Sequence, residues 1–256
     1  MSEGTTIARR ILLTGAAGHI GSAFREYAGK RYWLRLADRD VRKLDTAKAQ
    51  GHEIMMFDIA DPEACQKACQ NIDTVVHLAA DASPEAAFYG SLLENNIKGT
   101  YNIFRGAKDQ GCRRVIFASS AQAVSGYPYD TQVHPNMTVR PKNMYGVSKC
   151  FGEAVAAYFA YGEGLSSVAI RIGAFDAVPP AGQRLSARDL SAYVSPRDLC
   201  HLLVQCIETA DLPPFTLAHG ISDNRFKLLN ITETRESLDY RPRDDAFQVF
   251  DIGLHG

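Results

Sequence analysis

Arg9-Arg10-Ile11-Leu12-Leu13-Thr14 runs straight into Gly15-Ala16-Ala17-Gly18-His19-Ile20-Gly21, and an amphipathic pattern then continues to about Gly29. The order is apolar strand, glycine turn, helix. Glycines at this spacing carry little weight alone, but between a strand and a helix they describe a dinucleotide-binding turn. Gly15 permits the tight turn, Gly18 lets backbone approach a pyrophosphate, and Gly21 lets the helix pack on the strand. His19 and Ile20 open that helix, whose free N–H groups point at the anion.

Working outward, Trp33-Leu34-Arg35-Leu36-Ala37 reads as a second strand that ends at Asp38. An acid at that place, roughly twenty residues past the glycines, accepts hydrogen bonds from the adenosine ribose hydroxyls and repels a 2′-phosphate. It favours NAD over NADP, with Arg39 as a neighbouring cation that tempers the preference. Ile54 to Phe57 leads into Asp58-Ile59, a third strand end where an adenine amino group could be read, and a helix follows from Pro62 to Asn71. Thr74 to Ala80 is a fourth strand, in which Leu78, Ala79 and Ala80 let a cofactor lie flat against backbone and His77 is a core residue. The helical run Leu92 to Gln110 holds Asn95 and Asn96, which are unfavourable inside a helix unless they bond to something. One of them is expected to prop backbone or water near the site, and Asn96 is counted with the cofactor positions.

The chemistry is expected from two later stretches. Val115 to Ser120 reads as a buried strand ending in hydroxyls, and Tyr145 and Lys149 stand one helical turn apart in a helix that runs to about Tyr161. A free tyrosine titrates near pH 10 and is a poor base at neutrality, but an ammonium one turn away favours the phenolate. Ser120, Tyr145 and Lys149 thus read as a proton-transfer site. Ser167 to Gly173 is a sixth strand, with Ile172 on the cofactor side, and the strand–helix alternation predicts an α/β fold with a doubly wound parallel sheet. Residues 1–173 are read as the NAD-binding Rossmann domain. Residues 174–256 are read as a small substrate-binding lobe that is not independent, part of it completing the sheet. Within it, 175–191 is read as a loop over the sheet edge, and Ser195-Pro196 as the start of a helix capped by the serine.

The totals narrow the class. The 256 residues are 46% hydrophobic and 22% charged, which suits a soluble globular protein with a sizeable core. A formal net charge of −1 argues against nucleic acid or an anionic membrane as a partner. The beginning of the chain lacks an apolar run long enough for a signal peptide, and the six cysteines show no Cys-x-x-Cys pairing. The expectation is a cytoplasmic protein with reduced thiols and no metal site.

In order along the chain, Thr14 to Gly21, Asp58-Ile59, His77 to Ala80, Asn96-Ile97-Lys98-Gly99-Thr100, Ser119-Ser120, Tyr145-Gly146-Val147-Ser148-Lys149, Arg171-Ile172-Gly173 and Leu238 to Pro242 resemble the extended short-chain dehydrogenase/reductases, the epimerase/dehydratase superfamily. Within it, Phe117 to Ser120, Tyr145 to Glu153 and Arg171 to Gly173 are most similar to the uronate dehydrogenases. The resemblance implies NAD-dependent oxidation of the anomeric hydroxyl of a sugar or sugar acid to a lactone. Tyr145 would take the proton, Ser120 would hold the oxygen, and Lys149 would hold the nicotinamide ribose. It also implies a homodimer formed through the helices near 92–109 and 145–160.

The substrate side departs from that pattern. The uronate enzymes carry Asn-His after the serine, where this chain has Ala121-Gln122, and a serine where it has Ala174. Arg184 is a candidate carboxylate clamp only after a one-residue shift, and Ser83 lies where substrate could reach it. Unmatched substrate hydroxyls are costly to bury, so a related but different substrate is expected, such as a neutral or less oxygenated sugar. His134 and His219 read as surface or capping residues. A nucleotide-sugar epimerase or dehydratase is the competing reading, set back by the short C-terminal part. A non-catalytic NAD-sensing protein is another, set back by the retention of all three of Ser120, Tyr145 and Lys149.

Overall fold

In the computed structural model, which describes residues 9–44, 50–177 and 185–251, the glycine turn joins β1 (Arg10–Thr14) to α1 (His19–Ala28). Then come β2 (Trp33–Asp38), β3 (Glu53–Met56), α2 (Pro62–Ala68) and β4 (Thr74–His77). A wide helical run, Phe88–Lys98, passes without interruption into α3 (Gly99–Asp109). Its amides reach carbonyls five residues back, as Leu92 does to Ala87 and Gly99 to Glu94. The second half holds β5 (Arg114–Ser120), a 3₁₀ turn (Ala121–Val124), α4 (Met144–Glu163) and β6 (Ser166–Ile172). It continues through β7 (Ala174–Phe175), α5 (Ala187–Ala192), β8 (Tyr193–Val194), α6 (Pro196–Glu208), β9 (Phe215–Gly220), α7 (Thr232–Leu238) and α8 (Ala246–Val249).

Seven strands form one parallel sheet in the order β3-β2-β1-β4-β5-β6-β9. The doubly wound reading therefore holds. Strand order reverses between β1 and β4, and ligands of such sheets lie outside the carboxyl ends of the strands at that reversal. Strands covered on both faces need continuous apolar runs, and Ile11, Leu12 and Leu13 are all fully buried. One face packs on α1 and α6 through Phe24, Leu199 and Leu203. The other packs on α2, α3 and α4 through Cys65, Phe104 and Phe159. All six cysteines are free thiols, and only Cys150 is partly exposed.

The stretch expected as a loop over 175–191 contains more order than its Pro and Gly content suggests. β7 pairs in parallel with β8 through Ala174↔Tyr193 and Phe175↔Val194. α5 starts at Ser186, whose hydroxyl accepts from the Asp189 amide at 3.1 Å. The serine cap expected at Ser195 is present, with its hydroxyl accepting from the Asp198 amide at 3.2 Å. Asp198 is itself buried and ties down the last segment. It accepts from the amides of Arg243 and Asp244, both at 3.0 Å, and from the Ser222 hydroxyl at 2.7 Å. β9 joins the main sheet beside β6, and α6 packs on α1.

Candidate active site

The carboxyl ends of β1, β2 and β4 open onto a cavity of about 690 Å³. Gly15 sits at φ +70°, and a Cβ there would lie 2.8 Å from the Ala79 nitrogen. A Cβ on Gly21 would lie 2.3 Å from the Gly15 carbonyl oxygen. The cradle is thus one that any side chain would fill. Its floor continues through Gly18, His19 and Ile20, and its outer wall through Ile59, Leu78, Ala79 and Ala80. Asp38 closes the adenosine end, its carboxylate held by the amides of Ala17 at 2.9 Å and Asp40 at 3.2 Å. These residues fit NAD. Backbone would take the pyrophosphate, Asp38 the ribose hydroxyls, and apolar surface the adenine.

A second recess of about 260 Å³ adjoins it and shares Ile20, Leu78, Ala80, Ala82 and Phe175 with the first. Ser120, Gln122, Tyr145, Lys149 and Ile172 line it. β5 delivers Ser120 at its last residue. The Asn143 side chain caps α4 by accepting from the Gly146 amide at 2.7 Å, and it donates to the Gln122 side chain at 3.2 Å. That pair fixes the start of the helix bearing Tyr145 against the turn after Ser120. Lys149 is buried, donates to the Ala118 carbonyl at 2.8 Å, and lies 5.4 Å from the centre of the Tyr145 ring. Burial pushes its ammonium down to about 8.

The phenol differs from the expectation drawn from the Tyr145–Lys149 spacing. Tyr145 lies above its ordinary value, because burial disfavours the phenolate more than the neighbouring Ser120 hydroxyl favours it, and the Asp81 carboxylate adds to the rise. Desolvation therefore decides the direction, and the only group among the described residues that lowers the phenol is Ser120, not the lysine one turn away. Asp81 itself is held below the usual carboxylate range, chiefly by the Ser91 hydroxyl, with the Ser83 amide adding to it.

Other expected residues fall in different places. Asn96 is buried away from the cavity. Its oxygen accepts from the Asp81 amide at 2.8 Å, and its nitrogen donates to the Asp81 carbonyl and the Ser148 hydroxyl, both at 2.9 Å. Asn95, its neighbour, is the asparagine that lines the cofactor cavity. Asp58 is exposed and accepts from the Ala60 amide, while Phe57 and Ile59 on either side form the wall. Ser83 is exposed and bonds within its own turn, where Ala82 and Pro84 face the recess instead. Ala174 pairs with Tyr193 of β8, leaving the lining to Gly173 and Phe175, and Ala121 is buried in an apolar cluster with Val124 and Ile221. Arg184 lies outside the described residues.

His77 is a core residue, its Nδ1 sharing a 2.8 Å hydrogen bond with the Thr14 hydroxyl. His134 is exposed. His219 is not a surface residue. It is fully buried in β9 with Nδ1 donating to the Asn230 carbonyl at 2.7 Å, and burial drives its imidazole down to about 3. Phe175, Pro84, Asp81 and Asn95 are among the site residues that sequence reasoning missed. Only Asn95 carried a signal, as half of an asparagine pair inside a helix.

A Rossmann cavity opening onto a recess with serine, tyrosine and lysine defines an extended short-chain dehydrogenase/reductase. The model of the NAD dependent epimerase/dehydratase family matches residues 11–180, and the chain belongs to that family. The NAD-dependent glucose-6-phosphate dehydrogenase of Haloferax volcanii is 35% identical over 251 residues, 92% of this chain and 94% of that protein. The uronate dehydrogenase of Pseudomonas putida is 35% identical over 222 residues, 86% of this chain and 79% of that one. The crystal structure of glucuronic acid dehydrogenase from Chromohalobacter salexigens superposes with a TM-score of 0.85 at 29% identity, covering 97% of this chain and 90% of that one.

Proposed function

We propose that the protein is an NAD-dependent dehydrogenase that oxidises the C1 hydroxyl of a free sugar or sugar acid to a lactone. The observation that carries this reading is the union of the two spaces. A recess of about 260 Å³ bearing Ser120, Tyr145 and Lys149 opens directly onto the cavity that fits NAD. A recess this size suits a monosaccharide and leaves little room for a nucleotide diphosphate beside it. Its lining is mixed, with Ser120, Gln122 and Tyr145 polar and Pro84, Ile172 and Phe175 apolar. That mixture favours a sugar with fewer hydroxyls to match than a uronic acid has.

Bound NAD supplies the hydride acceptor. Tyr145 takes the anomeric hydroxyl proton, and the Ser120 hydroxyl holds the same oxygen, so the proton leaves as C1 gains carbonyl character. Lys149 is placed to hold the nicotinamide ribose. Phe175 and Ile172 keep water from the reacting carbon. Burial, with Asp81 adding to it, keeps Tyr145 protonated at neutral pH, so the oxidative rate should climb toward alkaline pH.

The test is reduction of NAD, followed by absorbance, across neutral aldoses, deoxy sugars, sugar phosphates and uronic acids. Steady turnover of a free sugar supports the reading. Silence across the panel, with NAD still bound, turns it toward an epimerase or dehydratase that recycles its cofactor. The reduced thiols support a cytoplasmic setting, and among the described residues no helix is long and apolar enough to cross a membrane. Tyr101, Tyr158 and Tyr161, exposed on α3 and α4, support a homodimer, for which a monomeric mass in solution would be the contrary result.

A further inference from the structure

Tyr145, Lys149 and Glu153 recur every four residues on α4 and are all buried against the sheet. Glu153 therefore extends the catalytic stripe by one turn. Arg171 on β6 meets it in a two-pronged pair, Nε to Oε1 and Nη2 to Oε2, both at 2.9 Å. The Ser119 hydroxyl donates to Oε1 at 2.6 Å. Ser119, Arg171 and His219 are register partners on β5, β6 and β9, so they form one row on the same face of the sheet. The pair is almost wholly desolvated, with the Arg171 side chain 2% exposed and that of Glu153 9%. Arg171 Nη1 and His219 Nε2, in the same row, have no hydrogen-bond partner among the described residues.

Ion pairs this deep are weak stabilisers, since apolar side chains of similar volume often do as well. A fold that needed only packing here would have little use for one. What the pair does possess is geometry. It joins β6 to the helix that delivers Tyr145 and Lys149, and the Ser119 hydroxyl ties in β5, the strand that delivers Ser120. Its fork fixes orientation as well as distance.

Resting on the dehydrogenase reading above, we infer that Glu153 and Arg171 are positioning residues for the proton-transfer group: they set α4 against β6 and, through Ser119, against β5, and Glu153 cancels an Arg171 charge that would otherwise act on Tyr145 and Lys149. Asp81 after β4 bears on Tyr145 and His77 on β4 bears on Lys149, while Glu153, one turn further along α4, faces Arg171 on β6 with His219 of β9 beside it, and the Cys150 thiol on α4 feels both charges of that pair. The wide run and α3 present their charges at the surface, as in Lys98 with Glu94. Arg105 is held at the far end of α4 by Glu163. Among these groups, the Glu153–Arg171 pair is the part whose neutrality one substitution can remove.

Glu153→Gln keeps the shape and leaves the Arg171 charge uncompensated. It is expected to lower kcat by about tenfold or more, through misplacement of the reacting groups, with the KM for NAD little changed. It should also move the Tyr145 titration down by about half a pH unit or more, since an unmatched cation favours the phenolate. That titration is read by ultraviolet difference against Tyr145→Phe and needs no substrate, so it stands even if no sugar is turned over and the dehydrogenase reading fails. The double variant Glu153→Gln/Arg171→Met is neutral again and should return the titration to its original position. Ser119→Ala removes one strut without touching the pair. It should lower kcat about threefold with NAD binding unmoved and only a modest fall in melting temperature, and it serves if Glu153→Gln does not fold. A well-folded Glu153→Gln protein with unchanged kcat and an unmoved titration overturns the inference. So does a double variant as displaced as the single one, or a Ser119→Ala protein at full rate.

Discussion

The cofactor half and the substrate half of the active site are built by different means. Around β1, β2 and β4 the cavity is shaped by main chain, and glycines are present because a Cβ at Gly15 or Gly21 would strike backbone. Around β5, β6 and β7 the recess is shaped by side chains from segments far apart, Pro84, Gln122, Tyr145 and Phe175 among them. Main-chain sites leave a local signature of glycine, turn and helix cap. Side-chain sites leave one only where the chemistry itself demands a spacing. The first half is therefore readable from a dozen consecutive residues, and the second only where tyrosine and lysine share a helix turn.

Tyr145→Phe is the largest expected break between the halves. Removing the proposed proton acceptor should lower kcat by about a thousandfold, within the range for lost acid–base catalysis. The ring still packs, so NAD affinity measured by titration should stay near its starting value. A variant with much of its rate left would show that Tyr145 is not the base.

Lys149 allows a test that needs no turnover. Its folded value of about 8 lies below the ordinary 10.5. Between those two pH values the unfolded chain binds the additional proton, so stability should rise with pH across that window and carry the full penalty below it. The difference is on the order of 3 kcal/mol. Lys149→Met lacks this dependence, and the gap between its melting curve and that of the natural protein should change steadily from pH 8 to 10.5. A constant gap would mean that the ammonium is solvated.

Asp38→Asn probes the cofactor half alone. Losing the charge that repels a 2′-phosphate, with Arg39 and Lys43 lining the same end, should reduce the preference for NAD over NADP by about tenfold. Equal loss with both cofactors would remove Asp38 from that role. The smallest effect is expected from Gln122→Ala, which should raise the sugar KM by about fivefold and leave the NAD KM unchanged. An effect on the NAD constant instead would blur the division between the halves.

Much of the fold was legible because the parallel sheet demands apolar strands and the helices between them demand the other period. The strand ends at Thr14, Asp38 and Ser120 were found for that reason. Asn96 was misplaced because the wide run rotates its residues off the ordinary helical phase, so Asn95 faces the cavity and Asn96 the Asp81 loop. His219 was taken as a surface or capping residue because its partners, Arg171 and Asn230, are remote in sequence. β7 and α5 were missed because a two-stranded ladder of two residues per strand, Ala174–Phe175 on Tyr193–Val194, is too short to set a period.

The wide run Phe88–Lys98 has a consequence for how this site could change by insertion and deletion. Each of its turns carries more residues than an α-helix turn, so it holds slack that a deletion could take up without breaking the chain's path into α3. Removing one residue ahead of Asn95 would tighten one wide turn to an α-helical one, and the residues beyond it, continuous with α3, would keep their phase. Asn95 would stay on the cofactor wall, and Asn96 would keep Asp81 and Ser148. The same loss inside α3, which holds no such slack, would set its two halves about 100° out of phase.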